Sequence, residues 1–209
     1  MRNIKLDYYI FVEELNERII KNIINLKRQK LRINIIILDK NSLIISKFAK
    51  KEKIPFFFTD NLKYAIKHKA QGILLTNKYR VQKNNIKITT RLEVIGSAHN
   101  QREYYIKKKQ NCTTIMLSPI FYNNKYSQNK ILYVNKFNLI TLTWKNNICA
   151  LGGITSKNLK LINLTRCNSV GIKSLINNWT KKNPPIIKWV GFNLRTKTKI
   201  YKIKLRMLR

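Results

Sequence analysis

Eight short apolar runs recur along this chain at intervals of about 20 to 25 residues, most of them separated by a stretch with helical periodicity. The runs fall at 8–12, 33–38, 55–59, 73–75, 92–96, 113–117, 148–151 and 169–172. The second, Ile33-Asn34-Ile35-Ile36-Ile37-Leu38, is nearly continuous, as in a strand buried on both faces of a parallel sheet. Between the runs, 13–28 carries apolar residues at Leu15, Ile19, Ile20, Ile23, Ile24 and Leu26, close to a 3.6 period. Helices are likewise expected at 43–53 (capped by Asn41 or Ser42), 60–69, 100–109, 131–142 and 156–164, the last capped by Thr155. The stretch 77–90 is polar, basic and poorly periodic, so a helix there is short or absent. Alternation of this kind predicts parallel βαβ units. Eight of them fit a closed (β/α)₈ TIM barrel better than an open doubly wound sheet.

The length agrees, because 209 residues sit near the barrel's lower limit of about 200. Asn183-Pro184-Pro185 closes the pattern. Residues 1–182 are therefore read as the barrel and 183–209 as a basic C-terminal extension, either a solvated remnant of the last barrel helix or a basic arm. No apolar run reaches the roughly 18 residues that span a bilayer, and no signal-like segment follows the N-terminus, so a cytoplasmic protein is expected. Cys112, Cys149 and Cys167 are widely spaced and lie in or beside expected strands. They read as buried reduced thiols rather than metal ligands.

The charge is extreme and uneven. Forty-three basic residues face nine acidic ones, a formal net charge of +34, and every acid lies at or before Glu103. Carboxylate chemistry must therefore come from the first half. A polyanion partner such as nucleic acid is compatible with this balance. The abundance of Lys, Asn and Ile also fits a coding sequence rich in adenine and thymine, which explains the lysines but not the scarcity of glutamate.

In a barrel, the C-terminal ends of the strands form the active face. Leu151-Gly152-Gly153-Ile154-Thr155 follows the seventh run: a strand, two glycines and a helix start, an arrangement that cradles a phosphate. Gly152, Gly153 and the Lys173-Ser174 pair after the eighth run are candidates for that cradle. Asp39 and Asp60 end neighbouring runs and together could hold a Mg²⁺ that in turn holds a diphosphate. Lys40 supplies a point charge for phosphate oxygens. Each has a plainer alternative: Asp60 as a helix cap, Asp39-Lys40 as a solvated turn, Gly152-Gly153 as a tight turn. His99 could serve acid–base chemistry or pack beneath its loop, His68 is expected on an exposed face, and Phe56–Phe58 is expected in the core.

Four segments in register are similar to the thiamine phosphate synthase/TenI superfamily. They are Ile54-Pro55-Phe56-Phe57-Phe58-Thr59-Asp60-Asn61 with Gln71-Gly72-Ile73-Leu74-Leu75 behind it, Val94-Ile95-Gly96-Ser97-Ala98-His99, Leu117-Ser118-Pro119-Ile120-Phe121 and Ala150-Leu151-Gly152-Gly153-Ile154-Thr155. The resemblance implies a TIM barrel of thiamin biosynthesis that couples hydroxymethylpyrimidine diphosphate to thiazole phosphate, releasing pyrophosphate with Mg²⁺. Carried over by position, Asp60 matches a metal ligand, Lys40 a diphosphate-binding lysine and Ser97 a substrate-contacting serine, while Gly153 and Ser174 match the thiazole-phosphate site. Several positions depart from the family. The Gln and Arg that precede the lysine are replaced within Ile36-Ile37-Leu38-Asp39-Lys40, and the second metal-binding aspartate aligns near Tyr79. Asn123-Asn124-Lys125-Tyr126 replaces Thr-x-Thr-Lys, with Lys125 or Lys130 as the stand-in. Ser118 stands where the tautomerase branch has its histidine. Three readings follow: a divergent synthase, a TenI-like barrel that binds a thiazole or thiamin phosphate without coupling, and a nucleic-acid-binding module on a decayed barrel.

Overall fold

The structure is a computed structural model and describes residues 2–38, 42–79, 92–124, 126–179 and 187–190. Eight parallel strands close into a barrel in sequence order: β2 (Asp7–Val12), β3 (Arg32–Ile37), β4 (Phe56–Thr59), β5 (Gly72–Leu75), β6 (Glu93–Ala98), β7 (Thr114–Leu117), β8 (Asn147–Ala150) and β9 (Ser169–Ile172). Pairing of β2 with β9, Asp7 opposite Ser169 through Ile10 opposite Ile172, seals the ring. Outside it, β1 (Arg2–Lys5) pairs antiparallel with β10 (Ile187–Val190). Part of the stretch beyond 182 thus returns to the chain's beginning as a strand, where a remnant helix or basic arm was expected.

The alternation of strand side chains sorts the core into two sets. Tyr9, Ile36, Phe57, Leu74, Ile95, Met116 and Cys149 fill the lumen, with Phe11, Leu38 and Leu151 partly buried against them. Phe56, Phe58 and the alternate residues of the other strands face outward, where helices cover them. Phe56–Phe58 is core, as expected, but split between the two sides. All three cysteines are free and buried. Burial pushes the Cys112 thiol up to about 12 and raises that of Cys149 as well, so these two pack rather than react.

The covering helices are α1 (Glu17–Arg28), α2 (Ser42–Lys51), α3 (Leu62–Lys67), α4 (Gln101–Lys109) and α5 (Tyr133–Ile140). Helix α1 begins four residues later than its apolar period suggests, because the Asn16 side chain accepts from Ile19 N at 2.9 Å and fixes the first turn there. In the same way Asn61 caps α3 through Tyr64 N and Asn100 caps α4 through Glu103 N. Four helices also end alike. Lys30, Lys53, Lys69 and Asn111 adopt φ between 48° and 58°, and the next amide reaches back to Leu26, Ala49, Ala65 or Lys107. This is a Schellman closure with lysine or asparagine where glycine is usual, in a chain with only six glycines. Leu31, Ile54, Ala70 and Cys112 follow, and each packs against or within the core.

Candidate active site

At the exit of β4, Thr59 Oγ1 donates to Ile37 O at 3.0 Å and ties the strand end to β3. Asp60 follows in the left-handed region, φ 51°, with its amide on Leu74 O. This bend turns its carboxylate toward the exit of β5, where Oδ1 accepts from Thr76 N at 2.7 Å and Oδ2 from Thr76 Oγ1 at 2.5 Å. Asp60 is therefore not the helix cap it might have been; Asn61 holds that role.

Thr76 is fastened in turn from outside the barrel. Lys107, on α4, is 1% exposed. Its Nζ donates to Thr76 O at 2.5 Å, Tyr79 O at 2.9 Å and Gln110 Oε1 at 3.0 Å. The stem reaches that far because β6 carries Gly96 beneath it: a Cβ there would fall 2.8 Å from Lys107 Cγ. Burial lowers the ammonium's pKa, while Cys112, Asp60 and Glu103 pull it back up. An ammonium with three acceptors still repays its desolvation better than an unpaired one.

Ser97 stands two residues beyond Ile95 on the lumen side of β6 and is partly exposed at the mouth. His99 is anchored twice. Its amide donates to Glu103 Oε2 at 2.8 Å, beside the Asn100 cap on Glu103 N, so the first turn of α4 holds the loop. Its ring Nδ1 lies 2.9 Å from Ser118 O and 3.1 Å from Ser118 Oγ. A carbonyl only accepts, so a proton on Nδ1 satisfies Ser118 O and leaves the lone pair on Nε2. His68, expected on an exposed face, is half-buried and stacks on Tyr64 with ring centroids 5.7 Å apart.

The corner after β8 is built from main chain. Gly152 and Gly153 have φ of 92° and 69°. A Cβ on Gly153 would lie 2.2 Å from Phe121 O, so the loop lies flat against the segment leaving β7. Ile120 N and Phe121 N donate to Leu151 O and Gly152 O across that contact. Asn158 clamps the far side: Nδ2 donates to Gly153 O and Oδ1 accepts from Thr155 N, both at 2.8 Å. The expected helix is a 3-10 helix, Leu159–Leu164, that starts after Asn158 rather than at Thr155. Among the described residues, the N–H groups of Gly152 and Gly153 have no acceptor. Nearby, Lys173 Nζ meets Glu13 Oε1 at 2.6 Å, both side chains about half exposed. Ser174 is exposed and opens the 3-10 turn Leu175–Asn178 without a side-chain cap.

Asp39, Lys40 and Lys125 lie outside the described residues, so the expected Asp39–Asp60 pair has only one described member. Among the described residues no three His, Cys, Asp or Glu side chains converge on a metal position. Asp60 accepts one hydrogen bond from Thr76 on each oxygen and keeps a lone pair on both. The described donors do not make a Mg²⁺ site by themselves.

The opposite end holds a cavity of about 270 Å³, lined by Asp7, Tyr9, Arg32, Glu93, Thr114, Asn147, Asn168 and Ser169. These residues begin strands or precede them, so the cavity opens at the N-terminal mouth. Asp7 pairs there with Arg32 at 2.8 Å. Burial raises the pKa of both Asp7 and Glu93. In a barrel, reacting groups gather at the other mouth, and its position decides against the cavity as the reaction site.

Thr76 and Lys107 were not among the residues singled out from sequence. Thr76 had a weak signal, since it directly follows the fourth run. Lys107 shares one helix face with Tyr104, three residues earlier, which is also buried.

A closed barrel of eight parallel strands alternating with helices defines a TIM barrel as the class. A sequence profile described as thiamine monophosphate synthase matches residues 37–176, and the chain belongs to that family. No curated protein sequence matches it. Among solved structures, thiamine phosphate pyrophosphorylase from Pyrococcus furiosus is 15% identical with a TM-score of 0.67, covering 88% of this chain and 92% of its own. A 4-hydroxy-2-oxoglutarate/2-dehydro-3-deoxyphosphogluconate aldolase is 10% identical with a TM-score of 0.63, covering 87% and 89%. The deoxyribose phosphate aldolase of Aeropyrum pernix is 11% identical with a TM-score of 0.59, covering 83% and 87%. At these identities the likeness is one of fold. No described helix is long and apolar enough to cross a membrane.

Proposed function

We propose that this barrel acts in thiamin biosynthesis as a divergent thiamine phosphate synthase. It seats the phosphate of a thiazole phosphate on the loop after β8 and joins the thiazole to hydroxymethylpyrimidine diphosphate. In the coupling, the bond from the pyrimidine methylene carbon to the diphosphate oxygen breaks and the thiazole nitrogen lone pair forms the new C–N bond. Pyrophosphate leaves. The observation that carries the reading is the free donor pair at Gly152 and Gly153, held open by Asn158, in a chain of this family. Phe11, Leu38 and Leu151, partly buried in the lumen, offer apolar surface for a heterocycle, with Ser97 at its edge. The chain's strong positive charge favours both anionic substrates over their surroundings. Mg²⁺ belongs to the reading only through the resemblance, and no step is routed through it.

A second reading, a barrel that binds a thiazole or thiamin phosphate without coupling, is favoured by one observation: Asp60, aligned with a metal ligand, accepts a hydrogen bond from Thr76 on each oxygen. One experiment tests both. The purified chain is given both substrates with and without Mg²⁺, and separately titrated with thiazole phosphate by calorimetry. Thiamin phosphate formation supports the synthase. Heat without product supports the binding barrel, and neither signal removes both.

A further inference from the structure

Three short helices on one flank of the barrel hold leucines out in solvent. Leu139 on α5 and Leu142 in the 3-10 turn behind it are 72% and 55% exposed, and Leu161 and Leu164 on the 3-10 helix are 43% and 56% exposed. A spacing of three places the members of each pair on one helix face. Asn138 binds the first and last of these helices together: Nδ2 donates to Leu164 O and Oδ1 accepts from Arg166 N, both at 2.8 Å. Isolated exposed leucines are ordinary, but four of them on three short helices, two of which Asn138 joins, make a patch that calls for a partner.

The rim of the patch is cationic. Lys136, Lys145, Lys157, Lys160 and Arg166 are all exposed around it, and no acidic residue occurs after Glu103. Strand β10 packs on the 3-10 helix that carries Leu161 and Leu164.

We propose that this flank docks on an anionic lipid surface, the leucines entering the boundary of the acyl chains and the cations meeting the headgroups. Charge selects the occupant. A second copy would set cationic rim against cationic rim with no acid to relieve it. Nucleic acid would satisfy the cations but bury no leucine, and its stacking platforms are aromatic.

The test is co-sedimentation of the full chain with vesicles of phosphatidylcholine, plain or with about one-third phosphatidylglycerol. Binding is expected to the mixed vesicles only. The variant Leu161→Ser with Leu164→Ser keeps every charge, so a chain held by charge alone would bind unchanged. It is expected to lose about tenfold in partitioning, while its circular dichroism stays that of the parent. Lys157→Gln with Lys160→Gln is expected to weaken binding as well, and so is added salt. Equal binding by the leucine variant overturns the proposal, and so does absence of binding. A dimer that the leucine variant abolishes without any vesicle binding assigns the patch to a second copy. RNA retention lost in the same way assigns it to nucleic acid. Either result also overturns the lipid assignment.

Discussion

The corner after β8 and the corner after β4 open on the same mouth, yet their hydrogen bonds end in opposite places. After β8, Asn158 and the segment 120–121 take up carbonyls of the loop, and the Gly152 and Gly153 amides have no acceptor among the described residues. After β4, Thr76 uses both oxygens of the Asp60 carboxylate, and Lys107 occupies the carbonyls behind Thr76. One corner is braced so that donors stay open. The other is braced by engaging the group that the family would offer to a metal. On the proposed reading, the phosphate site rests on main chain, and replacement of side chains does not remove a main-chain amide.

The harshest way to break this contrast is Gly153→Ala. The added methyl would meet Phe121 O in a backbone of positive φ, and neither strand end can retreat. A loss of about 3 kcal/mol or more is expected, read as a fall in the urea midpoint or as failure to fold. Lys107→Met comes next and strikes the other corner. It keeps the apolar stem but removes three charge-assisted hydrogen bonds, so that Thr76 O keeps only Tyr79 N and Tyr79 O only Gln110 Nε2, at a cost of about 2 kcal/mol. Thiazole-phosphate affinity, if the phosphate rests on the β8 corner, should stay within about twofold of the parent.

These two residues were not equally visible beforehand. The apolar runs located all eight strands to within a residue or two, because burial on both faces leaves a plain mark on sequence. Helix ends were less legible. Asn16 sets one start four residues late, and the expected 156–164 helix is a turn followed by the 3-10 helix Leu159–Leu164. Gly152, Gly153 and Asp60 were found at strand ends because strand ends are where the chain changes direction. Thr76 and Lys107 meet across 31 residues, through a gap that exists only because Gly96 lacks a side chain. In a chain with 43 basic residues, nothing marks one lysine as the buried one.

Asn158→Ala sharpens the contrast at moderate cost. It removes two hydrogen bonds from a partly exposed side chain, so stability should fall by only about 1 kcal/mol. The freed Thr155 amide and Gly153 carbonyl would let the loop relax, and thiazole-phosphate affinity should fall by about tenfold, measured calorimetrically. Unchanged affinity would place the phosphate elsewhere at the mouth.

The smallest effect is expected at the opposite mouth, which serves as the reference for both corners. Burial and the neighbouring Asp7 raise the pKa of Glu93 above its ordinary 4.5, against a hydrogen bond from Thr113 that lowers it. The folded chain therefore holds this proton to higher pH than the unfolded chain does. The stability linked to the proton is fully present below the unfolded pKa and is lost as pH rises through the raised folded one. Above that window the parent carries a half-buried charge that unfolding would relieve. Glu93→Gln removes the charge and keeps the shape, so it should gain about 0.5 kcal/mol at neutral pH, a small value because water screens a half-buried group. The gain should vanish on acidification below the ordinary glutamate pKa, as thermal unfolding across a pH series would reveal. Thiazole-phosphate affinity should not change, since the residue sits at the start of β6 and the phosphate loop follows the end of β8. A variant that bound the phosphate less tightly would couple the two mouths, and the β8 corner would no longer be a self-contained anion site.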